Sequence, residues 1–288
     1  MTPNPFFRFA SAALVFAAAS LTAQQNWDAV EIKVTHVNGS VYMLEGQGGN
    51  IAVSAGADGL LMVDDQFLPL APKIEAAMAS IGEGELKYVL NTHYHGDHTG
   101  GNAHFGEKAT VMAHANVRGR LASNAQTAPA ALPVITFSDK AAVYFNGEKI
   151  ELVHIGPGHT DGDSAIQFTA SNVFHMGDMF NHPRFPFVDL NSGGSVNGLV
   201  TALTAALERI PADAKIIPGH GPLATRAELV EYRQAIVDTV ALVRAEIAKG
   251  SNIGDILRSG VLDPWAERGE GWITTERWVQ TIFNDRGE

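Results

Sequence analysis

The stretch Thr92-His93-Tyr94-His95-Gly96-Asp97-His98-Thr99-Gly100-Gly101 constrains this chain more than any other. Three imidazoles and a carboxylate fall within six residues, directly after the apolar run Leu86-Lys87-Tyr88-Val89-Leu90. That run reads as a buried strand, so the cluster sits just past a strand's carboxyl end, and Thr99-Gly100-Gly101-Asn102 turns the chain into a short helix. Imidazole nitrogens and carboxylate oxygens are ligands suited to zinc, whereas a solvated His-rich turn has no use for so many together. The 288 residues include no cysteine, so no zinc ligand here is a thiolate and no disulfide staples the fold.

Three further stops share the pattern. His159 follows a strand and a Gly-Pro-Gly turn, Asp178 ends Val173-Phe174-His175-Met176-Gly177, and His220 ends Lys215-Ile216-Ile217-Pro218-Gly219. Each is a possible ligand at a strand end with glycine close by, and glycine lets the backbone approach a bound group. Alone, His159 or His220 reads as a loop or core histidine; four such stops in one chain point to a shared site.

The ends and the charge narrow the function. Residues 1–23 start weakly basic at Arg8, run small and apolar from Phe9 to Leu21, and end Leu21-Thr22-Ala23 before polar Gln24. This reads as a signal peptide rather than a membrane anchor, because the apolar run is too short to span a bilayer. The expected product is a periplasmic or secreted protein of residues 24–288, with no membrane contact after cleavage. Losing Arg8 takes the formal net charge from −11 to −12. An acidic protein without a basic run is a poor binder of nucleic acid.

Turns and periodicity supply the frame. Paired strands are expected over Glu31–Val37 and Val41–Glu45, turning at Asn38-Gly39, then over Ile51–Ser54 and Leu60–Asp65. A helix is expected from about Pro72 to Ile81, a strand over Ala109–Ala113, a helix over 114–123 and a loop over Thr127–Pro133. Strands return from Val134 to Ile155, with a hairpin turn at Asn146-Gly147, and again at Ser164–Thr169 and Val173–Met176. Residues 179–195 read as a long loop, Ser195–Arg209 as a helix and Lys215–Ile217 as a strand. Thr225–Lys249 reads as a long amphipathic helix with Thr225 as N-cap. This order suggests two packed sheets with helices outside, without a short repeat or a linker to a second domain.

The series His93-x-His95-x-Asp97-His98, His159, Asp178, His220 resembles the metallo-β-lactamase fold superfamily of binuclear metal hydrolases. The resemblance implies an α+β fold, a four-layer αββα sandwich with the metals at one edge between the sheets. Carried over residue by residue, it implies two zinc ions per chain. His93, His95 and His159 hold one, Asp97, His98 and His220 hold the other, and Asp178 bridges them. True zinc β-lactamases usually carry Cys or Ser where this chain has Asp178. A bridging Asp is typical of the glyoxalase, lactonase, phosphodiesterase and RNA-processing branches.

The implied reaction is hydrolysis of a small-molecule amide, lactone or ester, β-lactams included, by a metal-bound hydroxide that Asp97 orients and whose proton it shuttles. Asp64 is the expected partner that fixes a ligand histidine, with Asp65 beside it. His182 or Arg184 is expected to meet a substrate carboxylate, Phe185 and Phe187 to form an apolar wall, and the amides of Ser192-Gly193-Gly194-Ser195 to cradle an anion. Gly46–Asn50 reads as a hairpin turn, with a flap as the alternative. His36, His104, His114, His154 and His175 are assigned to packing or surface. Rival functions are a glyoxalase-like thioesterase, a mononuclear iron sulfur dioxygenase on the same fold, and an exported metal-binding or interaction protein. The sequence leaves the oligomeric state open.

Overall fold

The structure is a computed structural model that describes residues 25–285. The expected signal peptide lies outside the described residues. Among the described residues no helix is long and apolar enough to cross a membrane.

The first sheet has seven strands in chain order: β1 Lys33–Asn38, β2 Val41–Glu45, β3 Ile51–Gly56, β4 Gly59–Val63, β5 Leu86–Asn91, β6 Thr110–His114 and β7 Ile135–Phe137. The second runs β13 Ala224–Thr225, β12 Lys215–Ile217, β11 Val173–His175, β10 Ser164–Phe168, β9 Glu148–His154, β8 Lys140–Phe145. The helices are α1 Ala71–Ala79, α2 Gly96–Thr99, α3 Asn102–Phe105, α4 Ala115–Ser123, α5 Val196–Arg209, α6 Arg226–Ala248, α7 Ile253–Ser259 and α8 Thr275–Asn284.

Three cores separate four layers. Successive strand residues point to opposite faces, so a strand in a middle layer must be apolar on both. β4 obeys this: Leu61 and Val63 enter the core between the sheets, and Leu60 and Met62 pack under α1. Opposite them between the sheets stand Ile150, Leu152, Ile166, Phe168 and Ile217. The outer face of the second sheet, through Phe174 and Ile216, packs on Leu199 and Leu203 of α5, Leu229 and Ile236 of α6 and Trp278 of α8. This is the four-layer αββα sandwich that the resemblance implied, and it agrees with the two packed sheets and outer helices read from the element order.

Local chemistry sets the boundaries. Asn146 and Gly147 both take positive φ in the two-residue β8–β9 hairpin, as a turn matching the strand twist requires. Thr225 caps α6 and shares a capping box with Glu228. The loop over Thr127–Pro133 contains a 3-10 turn at Pro129–Ala131, and the loop after Asp178 contains another at Leu190–Ser192.

Topology then decides where the ligand candidates fall. β4 and β5 are parallel, so Asp64 and the His93–His98 cluster leave the first sheet at one edge. β11 and β12 are also parallel, which puts Asp178 and His220 at a common edge of the second. His159 lies between antiparallel β9 and β10, and β10 is antiparallel to β11, so it shares that edge.

Candidate metal centre

The two sheet edges bring all seven residues together. His93, His95 and His159 form one group whose ligand atoms lie within 4.8 Å of one another; His93, His98 and Asp178 form a second, and Asp97, His98 and His220 a third.

Hydrogen bonds on the far side of each ring assign the tautomers. His98 Nδ1 donates to Asp64 Oδ2 at 2.8 Å. His93 Nδ1 donates to Thr92 Oγ1 at 3.0 Å, and that hydroxyl donates to Asp64 Oδ2 at 2.7 Å. His159 Nδ1 donates to the Phe187 carbonyl at 2.7 Å. His95 is turned the other way: its Nε2 donates to Asp189 Oδ2 at 3.1 Å, leaving Nδ1 inward. Four bare imidazole nitrogens therefore converge.

The fit to a cation follows from those bare atoms. His95 Nδ1 and His159 Nε2 sit 2.8 Å apart, where two lone pairs repel unless a proton or metal ion lies between them. His93 Nε2 is buried without a hydrogen-bond partner. Asp178 Oδ1 is 3.1 Å from His98 Nε2 but also lacks a hydrogen bond, so both atoms aim at a common point rather than at each other. Buried polar atoms left in this way belong to ligands of an ion. Nitrogen and oxygen donors of this kind suit zinc.

Charge tells the same story. Burial lowers His93, His95 and His159, keeping them neutral as ligands must be. Burial opposes a charge on His98, yet the Asp178 and Asp64 carboxylates outweigh it and raise the imidazole. The Asp178 carboxylate pushes His220 up to about 9. Burial works against the Asp178 charge too, but His220 and His98 hold it well below the usual carboxylate range. The carboxylates have collected positive charge around themselves, as protons on His98 and His220 or as metal.

Close backbone packing holds the centre in place. A Cβ on Gly219 would lie 2.0 Å from Asp178 Oδ1, and one on Gly49 would lie 2.1 Å from the His98 ring. Gly49 N donates to the Asp97 carbonyl at 3.0 Å, and Asn50 N to that of Gly219 at 2.7 Å. Gly46–Asn50 is thus a hairpin turn seated on the ligand loops, and not a free flap.

The expected substrate contacts fare differently. A cavity of about 780 Å³ opens over Asp97, Asp178 and His220. Phe187 forms its apolar wall, while Phe185 also reaches it but stacks mainly on Trp278 at 5.8 Å. Arg184 lines the cavity, but its guanidinium is taken by the Glu267 carbonyl and the Glu270 carboxylate. His182 turns to Glu228, 3.5 Å away, and contributes through its backbone, whose amide donates to the His220 carbonyl at 3.1 Å. The Ser192 side chain is buried against Tyr94 Oη at 2.7 Å. The amides of Ser192, Gly194 and Ser195 are already donated to the Asp189 and Gly158 carbonyls, so these three are not free to cradle an anion. Asp65 faces away from the site and accepts from Gly101 N at 2.8 Å.

Asp189, Asn181, Gln47, Phe67, Trp272 and Ile273 are residues the sequence reading missed. Asp189 takes the His95 N–H and also accepts from Tyr94 Oη at 3.0 Å. Its only signal in the sequence is a single Asp in a loop.

The model of the metallo-beta-lactamase superfamily matches residues 34–220, and every ligand candidate lies inside that span. The chain belongs to the metallo-beta-lactamase superfamily. A hydroxyacylglutathione hydrolase of Polaromonas sp. strain JS666 is 32% identical over 157 residues, 53% of this chain and 55% of that protein. One of Rhodospirillum rubrum is 33% identical over 151 residues, 52% and 54% of the two chains. The chain spans about half the length of these curated relatives. The DIM-1 metallo-beta-lactamase superposes with a TM-score of 0.62 at 17% identity, covering 72% of this chain and 98% of that one. That likeness shows the fold.

Proposed function

We propose that this protein hydrolyses a small ester or thioester with two zinc ions. The observation that carries the reading is the set of bare, inward nitrogens and the unpartnered Asp178 oxygen at the edge between the sheets. His93, His95 and His159 would hold one ion, Asp97, His98 and His220 the other, with Asp178 between. Bound zinc supplies Lewis acidity toward a carbonyl and makes water nucleophilic at neutral pH.

The chain's own residues do the rest. Asp97 lines the cavity, with Oδ2 3.1 Å from His220 Nε2, where its carboxylate can orient a water, take its proton and pass that proton to the leaving group. Asp64 and Asp189 hold His98 and His95 in their tautomers. The Asn181 and Gln47 amides are the neutral polar groups of the wall and can orient the substrate.

The likeness to hydroxyacylglutathione hydrolases favours an acyl thioester over a β-lactam, and an Asp at position 178 agrees with it. Seven converging donors favour two ions over one iron. The test is metal analysis of the purified protein with thioester, ester, lactone and β-lactam panels, with and without chelator. Two zinc ions per chain, and thioester or ester turnover lost on chelation and restored by zinc, are expected. Turnover of β-lactams alone, or full activity with a single iron, would reject the reading. We further propose export with removal of residues 1–23; mass spectrometry of protein from its host should find a chain beginning near Gln24, and an intact N-terminus would overturn this.

A further inference from the structure

The outer wall of the cavity lies beyond residues 34–220, in a C-terminal strap that passes over the loop following Asp178. Its Trp272 and Ile273 join Phe67 and Phe187 as the apolar lining. Trp272 meets Phe187 edge to face, with ring centroids 4.9 Å apart. Ile273 is buried, yet Trp272 keeps 67% of its surface exposed. An indole left open at a cavity mouth is contact surface, because so large an apolar group is usually covered in a folded chain.

The strap is pinned along its length. Phe185 N donates to the Arg268 carbonyl at 2.9 Å, and Arg268 donates to the Pro183 carbonyl at 2.8 Å and to Glu231 at 2.9 Å. Arg184 holds the Glu267 carbonyl and Glu270. Arg277 donates to the Trp272 carbonyl at 2.9 Å and lies over the indole, 5.4 Å from its centroid. Trp272 is therefore presented in place, and a ligand that stacks on it spends little on ordering the wall.

The same contacts decide what the wall offers a ligand. Arg184 is the one Arg or Lys among the described residues of the lining, and it is already paired. The uncommitted polar groups are the Gln47 and Asn181 amides. Arg277 over one face of the Trp272 indole leaves a cation at the mouth, so the wall does not exclude a charged ring; what it offers is apolar contact, and a flat ring gains more of that from Trp272 and Phe187 than an alkyl chain does.

Resting on the hydrolase reading, we infer that the substrate carries an aromatic group beside its reacting carbonyl, and that Trp272 of the strap selects it. The test uses the full zinc-loaded protein and equilibrium binding by calorimetry, so it does not depend on turnover. The probes are N-benzylacetamide and, as its aliphatic counterpart, N-hexylacetamide. The benzyl probe should bind at least fivefold tighter than the hexyl probe. Trp272→Ala should remove that preference and Trp272→Phe should retain most of it, both with wild-type zinc content and melting temperature. Equal affinity for the two probes, no binding of the benzyl probe, or undiminished preference in Trp272→Ala overturns the inference. If the benzyl preference holds while no ester or thioester is hydrolysed, the hydrolase reading fails and the wall assignment stands.

Discussion

Asp64 serves two ligands at once, His98 directly and His93 through the Thr92 hydroxyl. Its backbone has φ +61°, a left-handed conformation that Asp and Asn tolerate better than other side chains with a Cβ. Asp64→Asn therefore keeps shape and backbone while removing the charge and one acceptor oxygen. The variant should bind zinc roughly 10–100-fold more weakly, because losing the group that orients a ligand has that size of effect. Competition with a chromophoric chelator measures it, and wild-type affinity would show that Asp64 is only a turn residue. The sequence places two Asp at this strand end and favours Asp64, although no periodic pattern distinguishes it from Asp65. What separates them is direction: Asp64 points along the sheet edge to Thr92 and His98, and Asp65 to the Gly101 amide.

At the scale of elements, the strands and helices were legible wherever burial is two-sided or caps are strong. β4 is buried at every position, and α6 begins at the Thr225 box as expected. The strap with Trp272 was not legible, because its role arises from packing on Phe187 and Phe185, about 85 residues earlier, and no local period encodes that. The same tertiary dependence explains why Arg184, a free cation by sequence, is spent on Glu270 and the Glu267 carbonyl. Two substitutions separate element stability from the site. Thr225→Ala removes the cap of α6 and should cost about 1 kcal/mol, roughly 2–4 °C in melting temperature, with zinc content unchanged. Gly219→Ala, in the turn after β12, puts a Cβ 2.0 Å from Asp178 Oδ1 and 2.6 Å from the Gly177 carbonyl carbon. Backbone cannot yield there cheaply, so Asp178 must move; stability should fall by about 1–3 kcal/mol and zinc should be lost. Inductively coupled plasma analysis beside thermal melts distinguishes the two, and a Gly219→Ala protein with full zinc would refute the packing argument.

For the whole molecule, the proposed ions join the two halves of the sandwich. His93, His95, Asp97 and His98 leave the first sheet, and His159, Asp178 and His220 leave the second. The sheets are already held by the apolar core between them, so the fold does not need the ions in order to form. Their edge is different: it gathers carboxylates that only protons or cations can neutralise. An ion that binds the folded chain and not the unfolded one adds RT ln(1 + [L]/Kd), about 2.7 kcal/mol at a hundredfold excess over Kd. Chelation should therefore leave a folded protein with a melting temperature several degrees lower, and added zinc should raise it progressively with concentration. Calorimetry across a zinc titration, with far-ultraviolet circular dichroism of the chelated form, makes the measurement. Unfolding on chelation would mean that the inter-sheet core is not sufficient by itself. A melting temperature indifferent to complete metal removal would mean that no ion bridges the sheets, whatever the side chains at the edge suggest.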